Sequence, residues 1–198
     1  MRLSAFTTCL LSLFFLASCG EPEPTPAVLD LVDGTVRTHM EAQVPLKHWR
    51  EEGVTQVMLV PMPEAGTDPA RGPLSLQGRK LASAIATYAM GFEPETVLAP
   101  DSPAGIYAGN VSASLNKITT TNYPAEGGAN AIAEQLSGMR GKRVVVFGTP
   151  AQLAEAFNDF AGESTVDWPS EGESAFVYAT AGGNEATSQP FAIRLDYN

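Results

Sequence analysis

The chain is poor in the residues that build metal centres and disulfide frameworks. It has 198 residues but only two cysteines and two histidines. That count excludes a small domain held together by several disulfides, and it excludes a zinc site with several Cys and His ligands. Hydrophobic residues make up 44% of the chain, so a packed core is expected rather than wholesale disorder.

Basic residues are scarce as well. Lys and Arg number 12 against 22 Asp and Glu, which gives a formal net charge of −10. Proteins that hold nucleic acid through its phosphates need a basic face. No nucleic-acid partner is therefore predicted.

The N-terminus has the pattern of an export signal. Arg2 precedes an apolar run over residues 3–17, which is shorter than the roughly 20 residues of a membrane-spanning helix. The run ends in Leu16-Ala17-Ser18-Cys19. These four residues resemble a bacterial lipobox, which implies a signal peptide over 1–18 and a lipid on Cys19. The alternative is an ordinary signal peptide in which the cysteine occurs by chance.

A lipid on this cysteine would anchor the protein to a membrane without spanning it. Gly20 follows the cysteine, and the resemblance to Gram-negative sorting signals then implies the outer membrane of the bacterial cell envelope. Residues 21–26 read Glu-Pro-Glu-Pro-Thr-Pro, and alternating prolines favour an extended tether. The predicted organisation is a signal peptide over 1–18, the lipidated cysteine and its tether over 19–30, and one globular domain over 31–198.

Apolar runs of strand length alternate with amphipathic helices in the globular part. The two clearest strands, 56–60 and 142–148, lack the alternation of a half-exposed strand, which indicates burial on both faces. This order predicts an α/β fold with a mainly parallel central sheet and helices on both faces. The other predicted elements are helices over 75–90, 129–139 and 151–160, a helix after Pro103, and strands over 96–99, 117–122, 175–180 and 191–197.

Three further features of the chain give local predictions. Gly91 is expected to end the helix that starts near residue 75. The pattern of residues 27–52 is ambiguous, and one interpretation of 38–52 is a helix interrupted at Pro45. A turn is expected at 182–184.

Ligands of parallel α/β sheets bind beyond the carboxyl ends of the strands, which directs attention to the loops after residues 60 and 147. The first loop belongs to an ordered set of short motifs: Val57-Met58-Leu59-Val60, Glu64, Asp68-Pro69 and Pro73-Leu74-Ser75-x-x-Gly78-Arg79. This set resembles the opening of the histidine phosphatase superfamily. The segment 141–148 resembles the late strand of that family. The resemblance covers roughly residues 53–198 and implies a phosphoglycerate-mutase-like, three-layer sandwich.

The resemblance also implies a histidine nucleophile and arginines that hold the phosphate, but the corresponding positions carry other residues. The Arg-His pair falls on Pro61 and Met62, and the late histidine falls on Thr149. No Lys or Arg occurs between residues 80 and 117, where a further arginine is expected. Only the acid Glu64 is retained. No catalytic residue, cofactor or metal is therefore predicted, and the domain is interpreted as a pseudo-phosphatase.

The two histidines do not replace the missing groups. His39 and His48 both precede the first predicted strand of the main sheet, and they are interpreted as surface or packing residues. What remains at the strand ends is a candidate pocket for a small neutral or weakly acidic ligand, formed by Met62, Glu64, Gly148 and Thr149. The alternative is that Met62 has filled this pocket as part of the core.

Three functions follow from these features. The first is a lipid-anchored envelope protein that binds a small ligand or an envelope protein partner, or acts as a scaffold. The second is a hydrolase of altered chemistry that uses Glu64 or Asp68, with or without the assistance of a metal. The third is a purely structural envelope component. An acidic stretch over 163–173, around Trp168, predicts either a recognition loop or a solvated connection.

Overall fold

The computed structural model of the chain describes residues 28–168, 175–182 and 189–196. The strands within these residues are β1 (Val28–Val32), β2 (Thr35–Thr38), β3 (Gln43–Pro45), β4 (Val54–Pro61), β5 (Thr96–Pro100), β6 (Thr120–Tyr123), β7 (Arg143–Gly148), β8 (Ala175–Gly182) and β9 (Phe191–Asp196). The α-helices are α1 (Leu76–Phe92), α2 (Pro103–Asn116), α3 (Gly128–Ser137) and α4 (Pro150–Ala161).

A six-stranded sheet in the order β6-β5-β7-β4-β8-β9 forms the centre of the fold. The first four of these strands pair in parallel, and β8 and β9 add to them in antiparallel fashion. The predicted α/β fold with a mainly parallel sheet is confirmed.

Both faces of the sheet are covered, which explains why β4 reads as a continuous apolar run. Met58 and Val60 point to a core that they share with α1 and α2. Val57 and Leu59 point to the opposite core, which they share with α3 and α4. All four side chains are at most 1% exposed, as expected for a strand between two helical layers.

A smaller antiparallel sheet, β1-β2-β3, precedes the main one. The interpretation of 38–52 as a helix is wrong, because β2 ends at Thr38, β3 follows, and turns replace the rest. The sequence signal for this sheet is the dipeptide Asp33-Gly34, which joins β1 and β2. Their φ angles of 47° and 73° are the positive values that a two-residue hairpin of type I′ requires.

The small sheet begins at Val28, so residues 28–30, which the sequence assigned to a tether, form the start of β1. It is docked against α1, where the hydroxyl of Tyr88 donates to the carbonyl oxygen of Val28 at 3.2 Å. Gly91 lies at the closest approach, since a Cβ placed on it would be 1.6 Å from the carbonyl oxygen of Leu31.

The prediction that Gly91 ends α1 is therefore wrong. The helix continues to Phe92 and is capped by Glu93 in the left-handed conformation. The glycine is needed for contact with β1, which is a tertiary reason that helix-stop rules do not capture.

Residues 1–27, with the predicted signal peptide and Cys19, lie outside the described residues, as do Gly183 and Asn184 of the predicted turn. Among the helices that the structure does describe, none combines the length and the apolar character needed to cross a membrane.

Candidate functional site

The carboxyl ends of β4, β7 and β5 lie side by side at one edge of the parallel sheet. Pro61 at the end of β4 pairs with Gly148 at the end of β7. The N–H of Met62 then donates to the carbonyl oxygen of Gly148 at 2.9 Å. Thr149 is the next residue, so the sheet brings together the positions that the sequence singled out, Pro61, Met62 and Thr149.

Pro61 and Met62 give this edge an apolar surface. Both are half-buried, and Met62 packs against the core beneath α1 and α2. Neither side chain can accept a phosphoryl group or carry positive charge. The contact of Met62 with the core agrees with its interpretation as a packing residue, although its remaining exposure leaves it at the edge of the site.

Thr149 is occupied as the N-cap of α4. Its hydroxyl accepts the N–H of Gln152 at 3.3 Å, and its own N–H donates to Oε1 of Gln152 at 3.3 Å. This reciprocal pair is a capping box. Pro150 follows and has no N–H to offer. Three of the first four N–H positions at this helix N-terminus, which could otherwise attract an anion, are thus used or absent.

Glu64 is held against the start of α1. Its carboxylate accepts the hydroxyl of Ser75, which also caps α1 by accepting the N–H of Gly78 at 2.9 Å. The carbonyl oxygen of Glu64 accepts the N–H of Ser75 at 3.0 Å. A Cβ on Gly78 would lie 2.2 Å from that same carbonyl oxygen, so the Ser-x-x-Gly spacing shapes the loop around Glu64.

Arg71 and Arg79, the arginines of the loop after β4 and of the first turns of α1, are both engaged near Glu64. The guanidinium of Arg79 donates to the carbonyl oxygens of Arg71 at 3.0 Å and Leu74 at 2.7 Å. Arg71 pairs with Asp68 at 3.3 Å, and Asp68 also accepts the N–H of Ala70 at 3.0 Å. Asp68, one of the two acids that the sequence suggested for hydrolysis, therefore makes its contacts within the loop.

The end of β5 leads directly into α2 through Asp101 and Ser102. Ser102 caps α2 by accepting the N–H of Gly105 at 3.1 Å. No Lys, Arg or His occurs anywhere in α2. The segment after β5 therefore brings one exposed acid and a hydroxyl to the site, and no cation.

Tyr123, at the end of β6, is a residue of this edge that sequence reasoning missed. It is 1% exposed, and its hydroxyl donates to the carbonyl oxygen of Phe147 at 2.5 Å. Burial raises the pKa of Tyr123 well above its ordinary value, so the hydroxyl stays protonated and keeps this bond even at alkaline pH. The only sequence signal that could have identified Tyr123 as a site residue is its place as an aromatic residue at the end of a short strand.

A cavity of about 650 Å³ opens at the same edge, between the loop after β4 and the start of α2. Its walls are formed by small or apolar residues, of which only Ser102 carries a hydroxyl and none is charged. They are Ala65, Gly66, Gly72, Pro73, Ser102, Pro103 and Ala104. Ligand cavities of this size are common in proteins, and an apolar wall with few polar groups is their usual composition.

Neither histidine reaches this edge. His39 is exposed in the turn between β2 and β3. His48 is half-buried after β3, where its Nδ1 lies 2.6 Å from Oε2 of Glu51. The described residues contain no group of three or more His, Cys, Asp and Glu that could hold a metal ion.

The acidic stretch around Trp168 is described only in part. Glu163 and Asp167 are exposed, and Trp168 packs against the core of α3 and α4. Glu171 and Glu173 lie outside the described residues.

Comparison of the fold with solved structures finds phosphatases that share it. The protein histidine phosphatase SixA complexed with tungstate aligns with a TM-score of 0.51 at 13% identity, covering 71% of this chain and 96% of its own. A mycobacterial glucosyl-3-phosphoglycerate phosphatase aligns with a TM-score of 0.51 at 6% identity, covering 73% and 100%. Phosphoserine phosphatase from Entamoeba histolytica aligns with a TM-score of 0.50 at 8% identity, covering 73% and 98%.

No protein-family model matches the chain, and no curated protein matches it significantly in sequence. The described elements thus form an α/β fold of the phosphoglycerate-mutase-like type, which these solved phosphatases share.

Proposed function

We propose that this protein is a non-catalytic relative of the histidine phosphatases that is held at the bacterial envelope by a lipid and acts by binding. The observation that supports this most strongly is the pairing at the strand ends. Met62 and Thr149 stand next to each other across β4 and β7, where the resemblance implies two histidines.

Phosphoryl transfer relies on positioned charge, because the protein must stabilise a dianionic group as it moves. A thioether, a proline ring and a hydroxyl engaged in a capping box supply no nucleophilic imidazole and no cation. The arginines that follow β4, Arg71 and Arg79, are bound to Asp68 and to loop carbonyl oxygens, respectively.

The uncharged cavity favours a ligand without formal charge. An anion in this cavity would lose its hydration without gaining a cation in return, which is costly. A small neutral molecule, or an apolar segment of an envelope protein partner, would be desolvated at much lower cost. A purely scaffolding role is consistent with the same lack of charge.

The envelope location rests on the sequence alone. Lipidation of Cys19, followed by Gly20 and the proline-rich tether, would hold the domain away from the outer membrane surface.

Purified protein comprising residues 20–198, which retains every described strand and helix, is expected to show no phosphatase activity. Its rates on p-nitrophenyl phosphate, phosphoserine and a phosphohistidine peptide should equal the buffer rate, because neither nucleophile nor phosphate-binding arginines are positioned at the strand ends. Colorimetric release of phosphate, with and without added Mg²⁺, Mn²⁺ or Zn²⁺, measures this.

Glu64→Gln and Asp68→Asn are the matched controls. Turnover that requires a divalent cation and disappears in either variant would contradict the proposal and would support the metal-assisted hydrolase instead. Turnover that survives in both would equally contradict it, since another nucleophile would then have to be present.

A further inference from the structure

The cavity at the strand ends continues into a second space. A groove of about 850 Å³ lies between α1 and α2, and Pro73 and Pro103 belong to the walls of both the groove and the strand-end cavity. The two spaces therefore form one trough, which begins at the loop after β4 and follows α2 to Leu115. The groove, from Pro103 to Leu115, is about 18 Å long at the helical rise per residue.

The groove is apolar along its whole length. Ala86 lies on its α1 side, and Ile106, Val111 and Leu115 lie on its α2 side. The residues that α2 buries in the domain are all small, so its large apolar side chains border the groove and do not fill the core. Ile106 is 38% exposed and Leu115 is 46% exposed. No residue in the walls of either space is charged.

Three hydroxyl groups on these walls are engaged within the helices. Ser83 and Thr87 donate to carbonyl oxygens of α1 at 3.0 and 3.1 Å, and Ser102 caps α2. An extended peptide in the groove would turn backbone N–H and C=O groups toward walls that offer few partners, which is costly. A hydrocarbon chain has no polar groups to satisfy, so it suits these walls better.

A second copy of the protein also fits this face poorly. The exposed residues of α2 themselves line the groove. The helix therefore presents no separate ridge that could enter the groove of another copy, as a two-fold interface would require.

We propose that the trough binds a neutral lipid with a single aliphatic chain, an inference that rests on the proposed function and names its ligand class. The chain would lie in the groove, and the uncharged head group would lie in the strand-end cavity. A compact molecule would fill only one end of this space. The hydrocarbon core of a bilayer is about 30 Å thick, so an acyl chain that spans half of it has nearly the length of the groove.

The charge of the protein favours a neutral head group over an acidic one. The formal net charge is −10, which repels an anionic lipid. The strand-end cavity has no charged wall residue, so a carboxylate or phosphate there would lose hydration without gaining a cation.

Competition with N-phenyl-1-naphthylamine, a neutral dye that fluoresces in apolar surroundings, tests the proposal on residues 20–198. The competitors are alkyl maltosides with chains of 8 to 16 carbons, each below its micelle-forming concentration. Affinity should rise by up to about fourfold for each added methylene group. It should stop rising at roughly 14 carbons, where an extended chain outgrows the groove. Dodecanoate should bind at least tenfold more weakly than dodecyl maltoside.

Ile106→Asp and Asn130→Asp are the matched variants. Ile106 borders the groove one turn after Pro103, so a carboxylate there should weaken the binding of dodecyl maltoside at least tenfold. Asn130 is exposed on α3, across the sheet from the groove, and its variant should bind like the parent. Leu115→Asp repeats the test at the other end of the groove, should Ile106→Asp fail to fold by circular dichroism.

Phosphate release is measured on the same samples, which separates the two proposals. Turnover would contradict the proposed function, whereas an inactive protein that binds no maltoside would overturn the lipid ligand alone. Affinity that keeps rising through 16 carbons and is equal in Ile106→Asp would also overturn it, because the chains would then adsorb elsewhere. Equal affinity for dodecanoate would overturn the neutral head group. A dimer in sedimentation equilibrium that Ile106→Asp dissociates would assign the groove to a second copy and overturn the proposal.

Discussion

Replacing Gly91 with alanine is expected to lower the thermal midpoint of unfolding by roughly 6–12 °C. Overpacking of a buried contact costs up to about 3 kcal/mol, and each kcal/mol shifts the midpoint of a domain of this size by about 2–4 °C. The new methyl group would lie 1.6 Å from the carbonyl oxygen of Leu31. That neighbour is backbone, so it cannot rotate away, and β1 would have to move off α1.

The sign of this effect is informative because helix propensity predicts the opposite. Alanine in place of glycine inside a helix stabilises it by roughly 1 kcal/mol when there is room for the methyl group. Gly138→Ala is the control, since Gly138 has a φ of −79° and its added Cβ would meet nothing closer than 3.5 Å. Differential scanning calorimetry compares the two. Equal midpoints for both variants would mean that β1 does not approach α1 as described.

Replacing Cys19 with serine is expected to abolish lipid attachment completely. The thiol is the atom that would carry the lipid, and a serine hydroxyl is far less nucleophilic than a thiolate. Incorporation of labelled palmitate into the full chain, expressed in a Gram-negative bacterium, measures the effect. The parent should be labelled and Cys19→Ser should not.

Cys9→Ser is the matched control, because Cys9 lies inside the predicted signal peptide and should leave the mature protein. Its label should equal that of the parent. An unlabelled parent, or label that persists in Cys19→Ser, would contradict lipidation at this position and would favour an ordinary signal peptide.

The sequence predicts the main sheet well because its signals are local. The runs that became β4 and β7 are continuous and apolar, since helices cover both of their faces. The Thr-Pro pair at 149–150 gives the start of α4 directly, because the hydroxyl caps the helix and proline suits its first turn. These features depend on a few neighbouring residues and not on the rest of the fold.

Other features depend on contacts that a single sequence does not display. Gly91 looks like a helix stop, but its actual role is set by Leu31, sixty residues earlier. The small residues of α2 give almost no amphipathic pattern, so its exposed apolar face emerges only once α1 packs beside it. The cavity at the strand ends likewise forms where the loop after β4 meets the start of α2.

The candidate site combines features that local sequence predicts with features that depend on contacts between distant residues. The sequence directs attention to Pro61, Met62 and Thr149, which lie at one sheet edge because parallel strands share the edge at which they end. It does not reveal that Glu64 is bound to Ser75, or that Arg79 is bound to loop carbonyls. Those contacts fix where the charged groups of the loop lie, while Pro61, Met62 and Thr149 themselves bring no cation to the strand ends.

The central claim is that these strand ends cannot hold a phosphate-like anion, and calorimetric titration with tungstate tests it most directly. Tungstate is a tetrahedral oxyanion, and SixA has been solved in complex with it. Titration of residues 20–198 with tungstate up to millimolar concentration, at constant ionic strength, should give only the heat of dilution. Saturable binding of one tungstate per chain would contradict the claim, because the site would then have to supply the positive charge that Pro61, Met62 and Thr149 lack.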